Sequence, residues 1–310
     1  MSSRFLPEGR RLNSFENLAA CASKAALLSA RDRELILEGQ VLLCDSDHDL
    51  LVRLGSYVGR IPRQETALGV AEGTTREIAI LSRVGKPVCF TVTGVEGDEP
   101  NLTLTLSRRR AQEIAQDALL EELKPGMVIP ATVTHLEPFG AFVDIGCGFV
   151  SMIGIEHISV SRIPHPDCRF SVGQEIYAAV LEVAQDEKRV KLTHRELLGS
   201  WRENAERLAP GMTVAGCVRG IKEYGAFVEL FPNLSGLAES RAGIQEGDRV
   251  SVYLKALLPE RMKVKLLVID RLPPEPTPAP ITYFIREGRL QHWRYAPEES
   301  QKSALETVFY

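Results

Sequence analysis

PFGAFVDI, residues 138–145, alternates apolar side chains with other types in the way that a β-strand requires. Because successive side chains of a strand point to opposite faces, Ala141, Val143 and Ile145 are predicted to face a core, and Phe142 and Asp144 to face away from it. An aromatic ring beside a carboxylate on the outer face is unusual for a strand that only covers a core. This strand is therefore predicted to present a functional surface.

The same pattern returns further along the chain. Residues 224–230 have the sequence YGAFVEL, in which Phe227 and Glu229 take the outward positions and Ala226, Val228 and Leu230 the inward ones. Gly140 and Gly225 are 85 residues apart, and so are Gly126 and Gly211. The chain is therefore predicted to contain a repeated domain.

Three segments each contain five short strand patterns, with a helical or irregular stretch between the third and the fourth. That order is typical of a small Greek-key barrel. The predicted fold is mainly β, with tandem five-stranded barrels joined by short helices and preceded by a helical segment in which Ser14 is a candidate N-cap. The predicted divisions are a helical segment at 1–37, barrels at 38–107, 125–195 and 210–270, helical connectors at 108–124 and 196–209, and a proline-rich linker with an aromatic extension at 271–310.

The aromatic extension carries two further strand patterns. Ile281–Ile285 and Leu290–Tyr295 flank a turn at Glu287-Gly288, and we expect them to pair as a β-hairpin. Six aromatic residues in the last thirty predict a packed appendage.

The composition is that of a soluble globular protein, with 44% hydrophobic and 25% charged residues. The formal net charge of −4 argues against a protein that works mainly by neutralising phosphates, so nucleic-acid binding would depend on local patches and on stacking. The six cysteines show no CxxC pair, which favours reduced thiols in the cytoplasm. Neither a secretory signal nor a membrane-spanning run is expected.

The motifs of common enzyme classes are missing from the sequence. It has no Walker loop, no HExxH, no GxSxG and no carboxylate cluster at metal spacing. Gly146-Cys147-Gly148 has no third glycine in register for a dinucleotide loop. The prediction is a protein without catalytic activity, cofactor or metal.

Repeat two resembles the S1 RNA-binding domain family, named after ribosomal protein S1. The resemblance rests on five blocks in the family order: Gly126–Val128, Phe139–Asp144, Gly154–Ser159, Val172–Gln174 and Arg189–Leu192. Repeat three keeps most of these blocks, whereas repeat one is divergent, so the resemblance covers roughly residues 38–270. It implies OB-fold barrels that bind single-stranded RNA.

Aromatic rings that stack on bases and basic side chains that contact phosphates are the groups that hold single-stranded nucleic acid. The predicted RNA-binding residues of repeat two are Phe139, Phe142, His157, Arg189 and Lys191. Those of repeat three are Tyr224, Phe227, Lys222, Lys263 and Lys265, with Glu239 in place of the family histidine. Strict alternation puts Phe139 and Phe142 on opposite faces, and they share a face only if Gly140 re-aims Phe139.

Repeats two and three rank in opposite orders when they are compared by formal charge and by the number of residues that can stack on bases. Residues 126–195 contain 6 basic against 8 acidic residues, and residues 211–270 contain 8 against 7. Repeat two thus has the better stacking set and repeat three the better electrostatics. Repeat one has His48 and Leu51 at the aromatic positions, which predicts poor RNA binding and, by analogy with the early repeats of ribosomal protein S1, docking on the small ribosomal subunit.

The predicted function is single-stranded, mRNA-like RNA binding in bacterial translation, associated with the ribosome. Two alternative functions stay open: an adaptor that docks on proteins with RNA contact secondary, and an accessory module of an RNA-processing enzyme. A further alternative is that Phe142 and Phe227 only pack against a neighbouring repeat or helix. Arg108-Arg109-Arg110 is either a phosphate clamp or, as charge runs at the start of a helix favour, a solvated helix face.

Overall fold

A computed structural model describes residues 5–239, 242–274, 280–300 and 305–310. The chain forms three closed five-stranded barrels. Two compact units can be distinguished: one extends to residue 122 and includes 144–150, and the other comprises 123–143 and 151–310. The mainly β, tandem-barrel fold predicted from the sequence is confirmed.

In each barrel, strands one to three form an antiparallel meander and strand five pairs in parallel with strand three. The strands of barrel one are β1 (Leu37–Cys44), β2 (Leu50–Leu54), β3 (Tyr57–Ile61), β4 (Pro87–Glu96) and β5 (Thr103–Ser107). Those of barrel two are β6 (Val128–Glu137), β7 (Gly140–Asp144), β8 (Val150–Gly154), β9 (Glu175–Ala184) and β10 (Arg189–Thr193). Those of barrel three are β11 (Thr213–Lys222), β12 (Gly225–Phe231), β13 (Leu234–Ala238), β14 (Arg249–Leu258) and β15 (Lys263–Arg271).

Five of the six residues predicted to face inward in the two strand patterns are buried, and the sixth, Leu230, is half-buried at a β-bulge of β12. Ala141, Val143, Ala226 and Val228 are all completely buried, as strand alternation requires.

The helices connect and cap the barrels. They are α1 (Phe15–Ala20), α2 (Lys24–Asp32), α3 (Glu77–Leu81), α4 (Arg108–Glu122) and α5 (Trp201–Ala205). Ser14 caps α1, because its side chain accepts a hydrogen bond from the N–H of Asn17. Among the described residues, no helix combines the length and the apolar character needed to cross a membrane.

In the first unit, the arginines at the start of α4 are ion-paired. Arg108 donates from Nε to Glu8 Oε1 at 2.7 Å, and both side chains are only 6% exposed. Burial raises the pKa of Glu8, but Arg108 and then Arg83 outweigh burial and hold that pKa below its usual value. Arg109 pairs with Glu65 at 2.7 Å, and Arg110 with Glu34 at 3.0 Å. The solvated helix face favoured by the sequence is therefore wrong for Arg108, since the charge run fastens α4 to its own unit.

Asp144 does not face solvent beside Phe142, as alternation alone predicted. It is 4% exposed and accepts backbone hydrogen bonds from Glu8 at 2.7 Å, Gly146 at 2.8 Å and Gly148 at 3.0 Å. Burial, followed by the nearby Glu8 carboxylate, raises the pKa of Asp144 to about 7. The outward prediction is wrong because Glu8, distant in sequence, covers this end of the strand.

Glu229 is also buried, at 7% exposed, and it joins barrels two and three within the second unit. Its Oε2 accepts from Arg169 Nη2 at 2.6 Å and from Arg219 Nε at 2.9 Å. Arg169 comes from barrel two, from the segment that follows a short 3₁₀ turn at Pro166–Cys168. The outward carboxylate predicted from alternation is thus the centre of a buried ion cluster between two barrels.

The C-terminal extension is packed, but not as the predicted hairpin. Its strands are β16 (His292–Arg294) and β17 (Glu306–Val308), which pair antiparallel. Ile281–Ile285 is not a strand, because Phe284 N–H donates to Leu197 O at 2.9 Å and the Tyr283 ring lies edge-on to Tyr177, 5.4 Å between centroids. Tertiary contacts thus override the local strand pattern. Half of the proline-rich linker of residues 271–280, namely residues 275–279, lies outside the described residues.

A buried histidine anchors this extension to barrel two. His194 is completely buried; its Nδ1 lies 2.8 Å from Ile158 O and its Nε2 lies 3.0 Å from the hydroxyl of Tyr283. A neutral imidazole satisfies both contacts when Nδ1–H donates to the carbonyl and Nε2 accepts from the hydroxyl. Burial lowers the pKa of His194 to about 4.

We therefore expect the second unit to lose stability as pH falls from about 6.5 to about 4. The unfolded chain binds a proton at this histidine below pH 6.5, whereas the folded chain does not until about pH 4, and the resulting loss is about 3 kcal/mol in total. Urea unfolding followed by tryptophan fluorescence measures it, because both tryptophans, Trp201 and Trp293, belong to this unit. His194→Gln should flatten the fall and His135→Gln should not; equal slopes in both variants would contradict the assignment.

Candidate nucleic-acid interface

Barrel two carries a pair of aromatic rings on its outer surface. The Phe139 and Phe142 rings are 6.0 Å apart between centroids and nearly perpendicular, at 89°. Phe139 lies in the turn before β7, so strand alternation does not apply to it. Gly140 permits this geometry, because a Cβ there would lie 2.4 Å from Ile153 O. The two rings that alternation placed on opposite faces therefore share one face.

His135, on β6, extends this aromatic surface and was not identified from the sequence. Its ring is 6.2 Å from that of Phe142 and tilted by 30°, and its side chain is 63% exposed. The sequence feature that could have identified His135 is its position five residues before Gly140, on the strand that leads into the same turn. Barrel two thus presents three adjacent rings.

His157, the predicted third stacking residue, lies in a 3₁₀ turn, Ile155–His157, and is half-buried. Burial, and then the positive charge of Arg195, lowers the pKa of His157. A histidine that stays neutral at physiological pH can stack on a base or exchange hydrogen bonds with it, but it supplies no charge to a phosphate.

The two cations predicted to contact phosphate in barrel two already have carboxylate partners. Lys191 Nζ is 2.8 Å from Glu182 Oε2, and Arg189 Nη1 is 3.5 Å from Glu187 Oε2. All four side chains are more than half exposed, so each pair is weak and can be exchanged for a phosphate.

Barrel three repeats the ring arrangement. The Tyr224 and Phe227 rings are 6.2 Å apart at 86°, and they are 67% and 37% exposed. With Tyr224 again in the turn before the strand, the two barrels present the same perpendicular pair. Beside this pair is a cavity of about 530 Å³, which we name the aromatic-face cavity, lined by Tyr224, Phe227, Ser235–Glu239, Lys255 and Met262–Leu266.

The basic residues of barrel three are more available than those of barrel two. Lys263 and Lys265 line the aromatic-face cavity, and together with Lys222 they are exposed and form no ion pair with any described residue. Glu239, at the position of the family histidine, pairs with Lys255 at 2.6 Å, and this bond to Lys255 lowers the pKa of Glu239. Barrel three thus offers free cations beside its rings.

Barrel one lacks the exposed ring pair that barrels two and three share. Leu51 stands at the ring position and pairs with Arg60 on β3, and Arg60 is ion-paired with Asp49. His48 lies in the turn before β2 with a positive φ of 63°. No ring pair is present on this face among the described residues of barrel one.

Residues 122–195 match the family model of the S1 RNA binding domain. Two relatives are the small ribosomal subunit protein bS1 homolog of Bacillus subtilis (36% identical over 148 residues, 46% of this chain and 38% of that protein) and the small ribosomal subunit protein bS1 of Leuconostoc lactis (29% over 197 residues, 58% and 46%). The chain therefore spans less than half the length of these relatives. A solved multidomain protein with nucleic acid binding domains from Streptococcus pneumoniae is similar over 76% of this chain and 73% of that chain, at 15% identity and a TM-score of 0.25.

Proposed function

We propose that the chain binds single-stranded RNA through the outer faces of barrels two and three. The match of residues 122–195 to the S1 RNA binding domain supports this for barrel two. The observation that carries the proposal is the perpendicular ring pair, which occurs at the same place in both barrels. Exposed rings on a rigid barrel stack on bases that are not already paired, so single strands are preferred over duplexes.

The two barrels contribute different parts of the interaction. Barrel two supplies three rings and two cations that are already paired, so it acts mainly by stacking. Barrel three supplies two rings with the unpaired cations Lys222, Lys263 and Lys265, so it carries most of the phosphate contacts. His157 completes the stacking set of barrel two, and Arg189 and Lys191 exchange their carboxylate partners for phosphates when RNA binds.

The names of the relatives suggest the setting in which this binding takes place. Both are small ribosomal subunit proteins, and on that basis we place the chain in bacterial translation. Barrel one, which has a leucine at the ring position, is proposed to dock on the small subunit instead of holding RNA. A purely protein-docking adaptor is the second candidate, and the acidic net charge of −4 favours it.

Fluorescence-anisotropy titration of a short unstructured RNA tests the proposal, with a duplex of the same sequence as the control. We expect binding to the single strand in the micromolar range and much weaker binding to the duplex. The affinity should fall by about 20- to 130-fold between about 50 and about 200 mM salt, because about three to five phosphates are neutralised. Absence of binding at the lower salt concentration would refute RNA binding and leave the adaptor function.

A further inference from the structure

A second cavity adjoins the aromatic-face cavity at the junction of barrels two and three. It has a volume of about 610 Å³ and shares Phe227, Ser235 and Met262 with the first. We name it the Gly220 groove; its other lining residues are Val160–Arg162 from barrel two, Trp201 from the connector, Arg219, Gly220, Lys222 and Glu246 from barrel three, and Tyr295 from the C-terminal extension. A strand of RNA that stacks on Phe227 can therefore continue directly into this groove.

Comparison of barrels two and three through the 85-residue repeat shows that Gly220 leaves a space open beside Phe227. His135 of barrel two corresponds to Gly220 in the 85-residue repeat, and the His135 ring lies beside the ring of Phe142. In barrel three, a Cβ built on Gly220 would meet Glu246 Oε1 at 3.8 Å and Phe227 Cδ2 at 4.0 Å, and nothing closer. The space that barrel two fills with its own imidazole ring is thus open beside Phe227.

The groove has positive charge at one part of its wall and a carboxylate at another. Arg162 and Lys222 are exposed and form no ion pair with any residue that the structure describes. Glu246 Oε1 accepts a hydrogen bond from Ile221 N–H at 3.2 Å, which leaves its second oxygen for a donor such as the amino group of a base. Arg219 is already held by Glu229 at 2.9 Å and is not available to a phosphate.

Three hydrogen bonds to barrel three fix the barrel-two loop that carries Arg162. Val160 N–H donates to Asn233 Oδ1 at 2.9 Å, Ser161 N–H donates to Pro232 O at 3.0 Å, and the Ser161 and Ser235 hydroxyls are 2.8 Å apart. The loop that carries Arg162 is thus fixed before any ligand arrives, which lowers the entropic cost of binding.

We propose that the Gly220 groove binds one further nucleotide of the RNA strand that lies on barrel three. Its base occupies the open space beside Phe227, and its phosphate is held by Lys222 and by Arg162 from the neighbouring barrel. This inference rests on the proposed function. It adds a binding site formed jointly by two barrels, and it makes the 160–162 loop part of the RNA path.

Filling the groove with an aliphatic side chain, which offers no ring for a base to stack on, tests the proposal. In Gly220→Leu an aliphatic side chain fills the space that the His135 ring takes up in barrel two, and the backbone of Gly220 is outside the left-handed region that disfavours other residues. We expect the affinity for an unstructured oligonucleotide to fall about fivefold or more, the lower end of the effect of losing one stacked base. Gly220→Ala is the matched control, because a methyl group leaves most of the space open, and its affinity should stay at the wild-type value.

Arg162→Ala supplies an independent test, since the exposed side chain can be removed without affecting the fold. We expect weaker binding and a salt dependence that is less steep by about one phosphate contact. Arg286→Ala removes the same charge from the same unit outside the groove and should change neither. Wild-type affinity in both Gly220→Leu and Arg162→Ala, with binding still lost in Phe227→Ala, would overturn the groove but keep RNA binding. No binding by the wild type would overturn both.

Discussion

Replacing Phe142 and Phe227 together with alanine is expected to weaken single-stranded RNA binding by at least about 30-fold, because each ring contributes roughly 1–3 kcal/mol of stacking per base. Both residues belong to perpendicular ring pairs, so the substitution also removes the support of Phe139 and Tyr224. Fluorescence anisotropy with a labelled unstructured RNA measures the change.

Leu51→Ala is the matched control for this double variant. Leu51 occupies the corresponding strand position in barrel one, so its loss should leave the affinity for RNA unchanged. Circular dichroism must show that the double variant keeps its fold, since Phe142 is only half-exposed. A folded double variant that binds RNA as tightly as the wild type would contradict the stacking surface.

Glu229→Ala is expected to destabilise the second unit by about 3–5 kcal/mol, the usual effect of removing one partner from a buried ion pair. Arg169, whose side chain is 6% exposed, would be left with an unpaired buried charge between barrels two and three, and Arg219 would lose the same partner. Urea unfolding followed by the fluorescence of Trp201 and Trp293 reports on this unit.

Glu239→Ala provides the comparison with an exposed ion pair in the same barrel. Glu239 pairs with Lys255 at 2.6 Å, with side chains 71% and 39% exposed, and removing it should leave the stability close to the wild-type value. Equal effects of the two substitutions would show that the Glu229 cluster does not fasten the barrels together.

The barrel fold could be predicted because local patterns recur in this sequence. Ala141 and Val143 of β7 and Ala226 and Val228 of β12 follow the strand alternation, and the 85-residue repeat places the same turn and the same rings in barrels two and three. These features depend on residues close together in the chain, which is the information that periodicity contains.

The wrong predictions concern residues whose neighbours in the folded protein are distant in sequence. Asp144 is covered by Glu8, 136 residues away, and Glu229 by Arg169, 60 residues away, so alternation alone could not show that either carboxylate is buried. Likewise, the pattern at Ile281–Ile285 is overridden by contacts with Leu197 and His194.

The candidate site was predicted in part. Alternation could not decide whether Phe139 and Phe142 share a face, because Phe139 belongs to a turn whose geometry depends on Gly140. His135 was missed because no single residue of β6 stands out in the sequence. The Gly220 groove needs the docking of barrel two on barrel three, which no local pattern contains.

Ultraviolet cross-linking of the full chain to a short 4-thiouridine RNA, with the linked peptides identified by mass spectrometry, shows directly whether RNA lies on the two ring pairs. We expect cross-links in the segments around Phe139–Phe142 of barrel two and Tyr224–Phe227 of barrel three, both suppressed by an excess of unlabelled single strand. Cross-links confined to barrel one, or none above the level of a control without irradiation, would contradict RNA binding by these two ring pairs.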